Sequence, residues 1–177
     1  MDRRLIRVFA PALLALTIAG CGGSPSASSP SPAPPPAQAF TTAVATSTRR
    51  IDISVSDAST ALTQYQAGQV SAGLFQQRIQ ADYGQIAITD QAFVAELSTI
   101  RFPTAMRADV ATLVAAVGRH RDACNAVTTA ALADLGAAIT AAANANGDVS
   151  AGVELVRSDL APAGTATPVS VPSPSPS

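Results

Sequence analysis

The 177-residue chain carries eleven Arg, no Lys and twelve acids, a formal charge of −1, with one His and two Cys. No basic stripe exists to track phosphates, which excludes nucleic acid as a partner, and no basic amphipathic stretch exists to hold a membrane surface. Hydrophobic residues reach 47% while aromatics are only 4%, so any core must be built largely from small aliphatic side chains.

Arg3, Arg4 and Arg7 precede the apolar run Val8–Ala19 (VFAPALLALTIA). That run is shorter than the ~20 residues that span a bilayer, and Pro11 interrupts it, so residues 1–20 are expected to be a secretory signal. Ile18-Ala19-Gly20-Cys21 resembles the lipobox of bacterial lipoproteins, an aliphatic residue and two small ones before a cysteine. The resemblance implies that the Cys21 thiol takes a diacylglyceryl group, that cleavage follows Gly20, and that the lipid holds the product at the extracytoplasmic face of the cell membrane. Processing of that kind leaves eight Arg against eleven acids, a formal charge of −3, and Cys124 as the sole remaining thiol, so no internal disulfide forms. Arg without Lys, beside abundant Ala, Thr and Val, reflects GC-rich coding, and an actinobacterial source is expected.

Residues 22–37 (GGSPSASSPSPAPPPA) contain no charge and no large apolar side chain, and cannot bury enough surface to offset the entropy of ordering. Cys21 and this stretch (21–37) are expected to form a disordered tether, roughly 50 Å at full polyproline extension. The tail 161–177 has the same composition. Between them, residues 38–160 suffice for one domain.

That domain reads as four helices, near 38–67, 71–99, 103–128 and 131–160. The first shows apolar or small residues three and four apart, through Phe40, Val44, Ser47, Ile51, Val55, Ala58, Leu62 and Tyr65. The run IDISVSD (51–57) alternates as a strand does, but only locally, and the helical spacing holds across the whole segment. A second stripe passes through Phe75, Ile79, Tyr83, Ile86, Thr89 or Asp90, Phe93, Leu97 and Ile100. Pro103 suits the first turn of a third helix, whose stripe is Met106, Val110, Leu113, Val117, His120, Cys124 and Val127. The register then slips, and a fourth stripe runs Leu132, Leu135, Ile139, Ala142, Asn146, Val149, Val153, Val156 and Leu160. It stays in phase through NANGD (144–148), which predicts a kinked helix there in preference to a break. Matched lengths of ~40–45 Å and short connections predict an all-α fold, an antiparallel up-down four-helix bundle with both tails at one end.

FPTAMRADVATLVAAV (102–117) and VELVRSDLAP (153–162) resemble elements of a group of uncharacterised actinobacterial envelope lipoproteins. These share a Pro-initiated Arg-Ala-Asp-Val helix and a last helix closing on Arg-x-Asp-Leu. The resemblance implies a helical envelope domain and transfers no activity.

His120 and Cys124 lie four apart on one face of the third helix and are the first residues to consider for a metal ion or a nucleophile–base pair, with Asp82 or Asp90 completing the set. Two ligands without a second His make no zinc or copper site, however, and the expectation is a thiol packed as a small hydrophobe beside a hydrogen-bonded imidazole. Arg119-His120-Arg121-Asp122 matches a kinase catalytic loop only in its first residues, since Val127 stands where Asn is required. Neither Glu96 nor Glu154 has a His three residues on, which excludes a di-iron bundle. Arg107/Asp109 and Arg157/Asp159 repeat Arg-x-Asp and are expected on a solvated face. Ser47, Tyr83, Thr89 and Asn146 are polar positions at or beside the seam, which either set helix register or line a small ligand cavity. No enzyme activity and no cofactor are expected. The expected role is a lipid-anchored extracytoplasmic helical module with a binding or structural role, meeting an envelope-protein or cell-wall partner. The alternative is a carrier or sensor of a small apolar ligand held between helices.

Overall fold

A computed structural model describes residues 33–161; the signal, Cys21, most of the tether and the tail lie outside the described residues. The described residues are 86% helical and contain no strand. Helix α1 spans Pro36–Gln66, α2 Ala72–Thr99, α3 Arg107–Thr129 and α4 Leu135–Leu160, with one 3-10 turn at Thr104–Met106 leading into α3.

Local chemistry sets the helix ends. α1 starts two residues earlier than expected because proline is tolerated in a first turn, where its missing N–H has no intrahelical acceptor. It stops at Gly68, whose φ of 70° lies in the left-handed region that glycine reaches without steric cost. There the Gly68 N–H donates to Tyr65 O and the Gln69 N–H to Gln64 O, both at 2.9 Å, closing the paired bonds of a glycine-terminated helix. Three residues on, the Ser71 hydroxyl accepts from the Leu74 N–H at 3.3 Å and caps α2. Pro103 stands just before the third helical segment instead of inside its first turn, and its carbonyl accepts from the Met106 N–H at 3.0 Å. The carbonyl of Ala130, just past α3, is satisfied from α2 by the side-chain amides of Gln76 and Gln80, at 3.0 and 3.1 Å.

α4 begins four residues later than its spacing predicts. Leu132 sits in the preceding turn, 38% exposed, where the Asp134 N–H donates to Ala131 O at 3.0 Å. Residues 144–148 are helical throughout, in a helix that runs unbroken to Leu160. Gly147 makes that segment less favourable by about 1 kcal/mol relative to Ala, which the Ala-rich surroundings absorb.

The stripes of α2 and α3 are buried nearly as read: Phe75, Ile79, Ile86, Thr89, Asp90, Phe93 and Leu97 on one, Leu113, Val117, His120, Cys124 and Val127 on the other. α1 differs in its second half. Ser54, Ala58 and Ala61 face inward, while Val55, Leu62 and Tyr65 are 49%, 43% and 37% exposed. Ala58 and Ala61 pack in one cluster with Phe75 and Ile79 of α2, so small residues mark where the bulky ones of α2 are received. Tyr65 stays at the margin, its ring stacked on Phe75 with centroids 4.6 Å apart.

Buried apolar residues form two clusters. One contains Phe40, Phe93, Leu97, Leu113, Val117 and Val156; the other Phe75, Ile79, Ile86, Cys124, Val127 and Ala142. Along α1, α2 and α3 the buried polar residues Ser47, Ser54, Asp90 and His120 fall between the two. α1 packs on α2, α2 on α3 and α3 on α4, but α1 and α4 hardly meet. The outcome is a core with a polar layer at mid-length and an opening beside it.

Candidate functional site

The polar layer centres on the one histidine. His120 projects inward from α3, 4% exposed, because it occupies the apolar stripe between Val117 and Cys124. Its Nδ1 lies 2.8 Å from Oδ2 of Asp90 on α2, and its Nε2 lies 3.6 Å from Sγ of Cys124 one turn on. The Asp90–His120 separation is that of a hydrogen bond, but the ring N–H is not directed at the oxygen, so both atoms are buried without a well-aligned partner. Asp90 therefore joins the pair, whereas Asp82 does not. Asp82 lies half-buried at the α1–α2 cleft, where burial first and Asp57 second raise its pKa, and Arg78 lowers it.

This arrangement has the order of a thiol–imidazole–carboxylate relay, and the potential ligand atoms of Asp90, His120 and Cys124 all lie within 4.8 Å of one another. The thiol in it is not poised as a nucleophile. A nucleophilic cysteine needs a lowered pKa and access to substrate. Cys124 has no exposed surface, and burial, with the nearby Asp90 carboxylate, pushes its thiol up from 9.0 to about 12. The fit to a metal is also poor. Three donors lie close together, one short of the four of a closed structural site, and no fourth His, Cys, Asp or Glu joins them among the described residues.

The shift has two measurable consequences. At about pH 8 the folded chain should be alkylated by iodoacetamide far more slowly at Cys124 than the urea-unfolded chain, since the folded thiol is both sealed and protonated. Equal rates would remove the sealed-thiol picture. The unfolded thiol releases its proton near its ordinary value of 9.0 and the folded one only near 12, so stability is full below that window and falls as pH rises through it. Tyr83, held up by burial first and by Cys124 second, acts with the same sign.

Beside the polar layer, the gap between α1 and α4 forms a groove of about 260 Å3. Asp90 lines it, with Ser47 of α1 and Asn146 of α4, and its apolar walls come from Val44 and Ile51 of α1, Phe93 of α2, and Val149 and Val153 of α4. Two of the four seam-polar residues read from the sequence thus meet in one cavity. Thr89 is instead buried on its own helix, donating to Gln85 O at 3.0 Å, and Tyr83 packs half-buried against the other apolar cluster. Nothing in the sequence tells that Asp90, unlike its neighbour Thr89, opens into a groove, because that depends on how far α4 stands from α1.

Other singled-out residues lie on the surface. Arg119 pairs with Asp148 of α4 at 3.2 Å and Arg121 with Asp122 at 2.9 Å, both in exposed positions. Arg157 bonds Glu154 one turn back, at the rim of the groove. Asp109 and Asp159, from the two Arg-x-Asp elements, come together at the surface, and the Asp159 carboxyl is held above its ordinary value chiefly by a hydrogen bond with Asp109. No described helix is long and apolar enough to cross a membrane. Comparison of the chain with protein-family models, with curated proteins and with solved structures finds no match.

Proposed function

We propose that the chain is a lipid-anchored, extracytoplasmic binding module whose small ligand is taken up in the groove between α1 and α4. The observation that carries this reading is the groove itself. It joins apolar side chains from three helices to a polar lining that includes a buried carboxylate, a small, mixed cavity with convergent polar groups. A tightly closed bundle of such short side chains has no reason to leave α1 and α4 apart.

The rest of the reading fits around it. One apolar cluster gathers Phe40 from the start of α1, Leu97 from the end of α2, Leu113 from the first half of α3 and Val156 from the end of α4, and the other gathers the opposite halves, which supports an up-down antiparallel order. Ala37 and Ala161 line one cleft, which supports tails leaving from a single end, the one toward the membrane. Cys21 would supply the lipid, and the tether, shortened to 21–35 by the earlier start of α1, would hold the groove clear of the headgroups. A protonated, sealed thiol supports a role in binding and not in catalysis.

A second reading, docking of an envelope-protein or cell-wall partner, draws on Ile53, Val55 and Leu62, which leave α1 with large exposed apolar side chains at 56%, 49% and 43%. Native mass spectrometry of the chain isolated from its own host's envelope separates the two. The groove has room for roughly nine water-sized groups at about 30 Å3 each, so an added mass of roughly 100–150 Da, lost on denaturation, is expected. A bare mass under gentle release would overturn the ligand reading in favour of the partner.

A further inference from the structure

We propose that the groove takes an organic cation, a small protonated amine whose ammonium group sits against Asp90. This deepens the ligand-groove reading and rests on it. Three acids line the groove, Asp52, Asp90 and Glu154, against one base, Arg157, which is engaged with Glu154. An anionic ligand therefore meets repulsion at the wall and at the base.

Asp90 is the decisive residue. It is only 2% exposed, its Oδ2 is sealed against the His120 ring without an aligned donor, and the residue lines the cavity, where a ligand reaches the carboxylate from the groove side. A buried carboxylate in that condition is costly unless a positive group and hydrogen-bond donors reach it. The imidazole behind it meets the need only in part: its Nδ1 is 2.8 Å away but misaligned. An ammonium group carries three donors and a full charge. In the groove it finds Asp90, with Ser47 of α1 and Asn146 of α4 as further polar lining residues.

The walls choose an organic cation over a metal ion. Hard divalent ions take six or more oxygen ligands, several of them carboxylates or waters. Around Asp90 the cavity instead offers Ile51, Phe93, Val149 and Val153, surfaces for a short hydrocarbon body.

The test uses the mature chain and isosteric probes: isoamylammonium, isoamyl alcohol and isocaproate, with calcium and zinc chlorides as metal controls. Isoamylammonium should raise the melting temperature and give a saturable calorimetric isotherm, while the alcohol, the carboxylate and the metals do neither. Asp90→Asn should weaken isoamylammonium binding roughly tenfold or more, the loss of one charge-assisted hydrogen bond. Val149→Phe, which fills the groove and leaves Asp90 in place, should abolish binding and guards against misfolding of the first variant. Binding of the alcohol or the carboxylate as strong as that of the amine would overturn the cation assignment while leaving a ligand groove. So would metal binding in place of the amine, or undiminished amine affinity in either variant. Failure of every probe together with a bare native mass would remove the groove reading as well.

Discussion

His120→Leu should destabilise the fold by about 3–5 kcal/mol, measured by urea unfolding near neutral pH, while the double variant His120→Leu/Asp90→Leu should fall within about 1–2 kcal/mol of the parent. The asymmetry follows from what each change leaves behind. Removing the imidazole alone leaves the Asp90 carboxylate 2% exposed, with no donor on Oδ2 and an apolar neighbour where Nδ1 lay at 2.8 Å. Removing both members deletes the buried charge and lets the two apolar clusters, now separated by the polar layer, join across it. The two sites are in contact, so their effects cannot add, and the double-mutant cycle reads the interaction directly. If the single His120→Leu variant were as stable as the parent, Asp90 and His120 would not form a coupled buried pair.

The second large effect is expected at Gly152. A Cβ built there meets Leu113 Cδ1 at 3.1 Å and Leu113 Cα at 3.2 Å, the second of these on the backbone of α3 and unable to rotate away. Leu113 itself has no exposed surface, so the two helices are pressed together with nothing soft between them. Gly152→Val adds a branched side chain into that contact and should cost about 2–3 kcal/mol, the scale of overpacking a filled core. Gly147→Ala supplies the internal control. It lies in the same helix with nothing within 4 Å of a built Cβ, and should stabilise by roughly 0.5–1 kcal/mol through helix propensity alone. Thermal or urea unfolding of both variants decides the matter: stabilisation by Gly152→Val would mean that α3 and α4 are not in close contact there.

Reading the chain one helix at a time goes far on α2 and α3, because their inward residues are Phe, Ile, Leu and Val, and hydrophobic spacing identifies them without reference to a partner. It fails where the inward residues are small. On α1 the bulky Val55 and Leu62 appear to belong to the seam, yet Ser54 and Ala61 occupy it, since α2 brings Phe75 and Ile79 to that level and leaves room only for short side chains. The start of α4 fails for a related reason. Leu132 extends the apolar spacing backward into what is a turn, and spacing alone does not register that the chain must reverse there.

His120 and Cys124 were visible as a pair because residues four apart on a helix share a face, a relation internal to one segment. Asp90 was one of two candidates from elsewhere in the chain, and Ser47 and Asn146 were polar positions with no known neighbour. By itself the sequence determined the all-helical class, the register slip between α3 and α4, and the inward faces of the two central helices. Those are matters of backbone geometry, settled within a few residues. Tertiary structure alone decided that Asp90, not Asp82, meets His120, and that α4 stands away from α1 to open a groove over that carboxylate. Such outcomes depend on the rotation and separation of whole helices, which are set by the summed packing of side chains distant in the chain and leave no local periodicity to read.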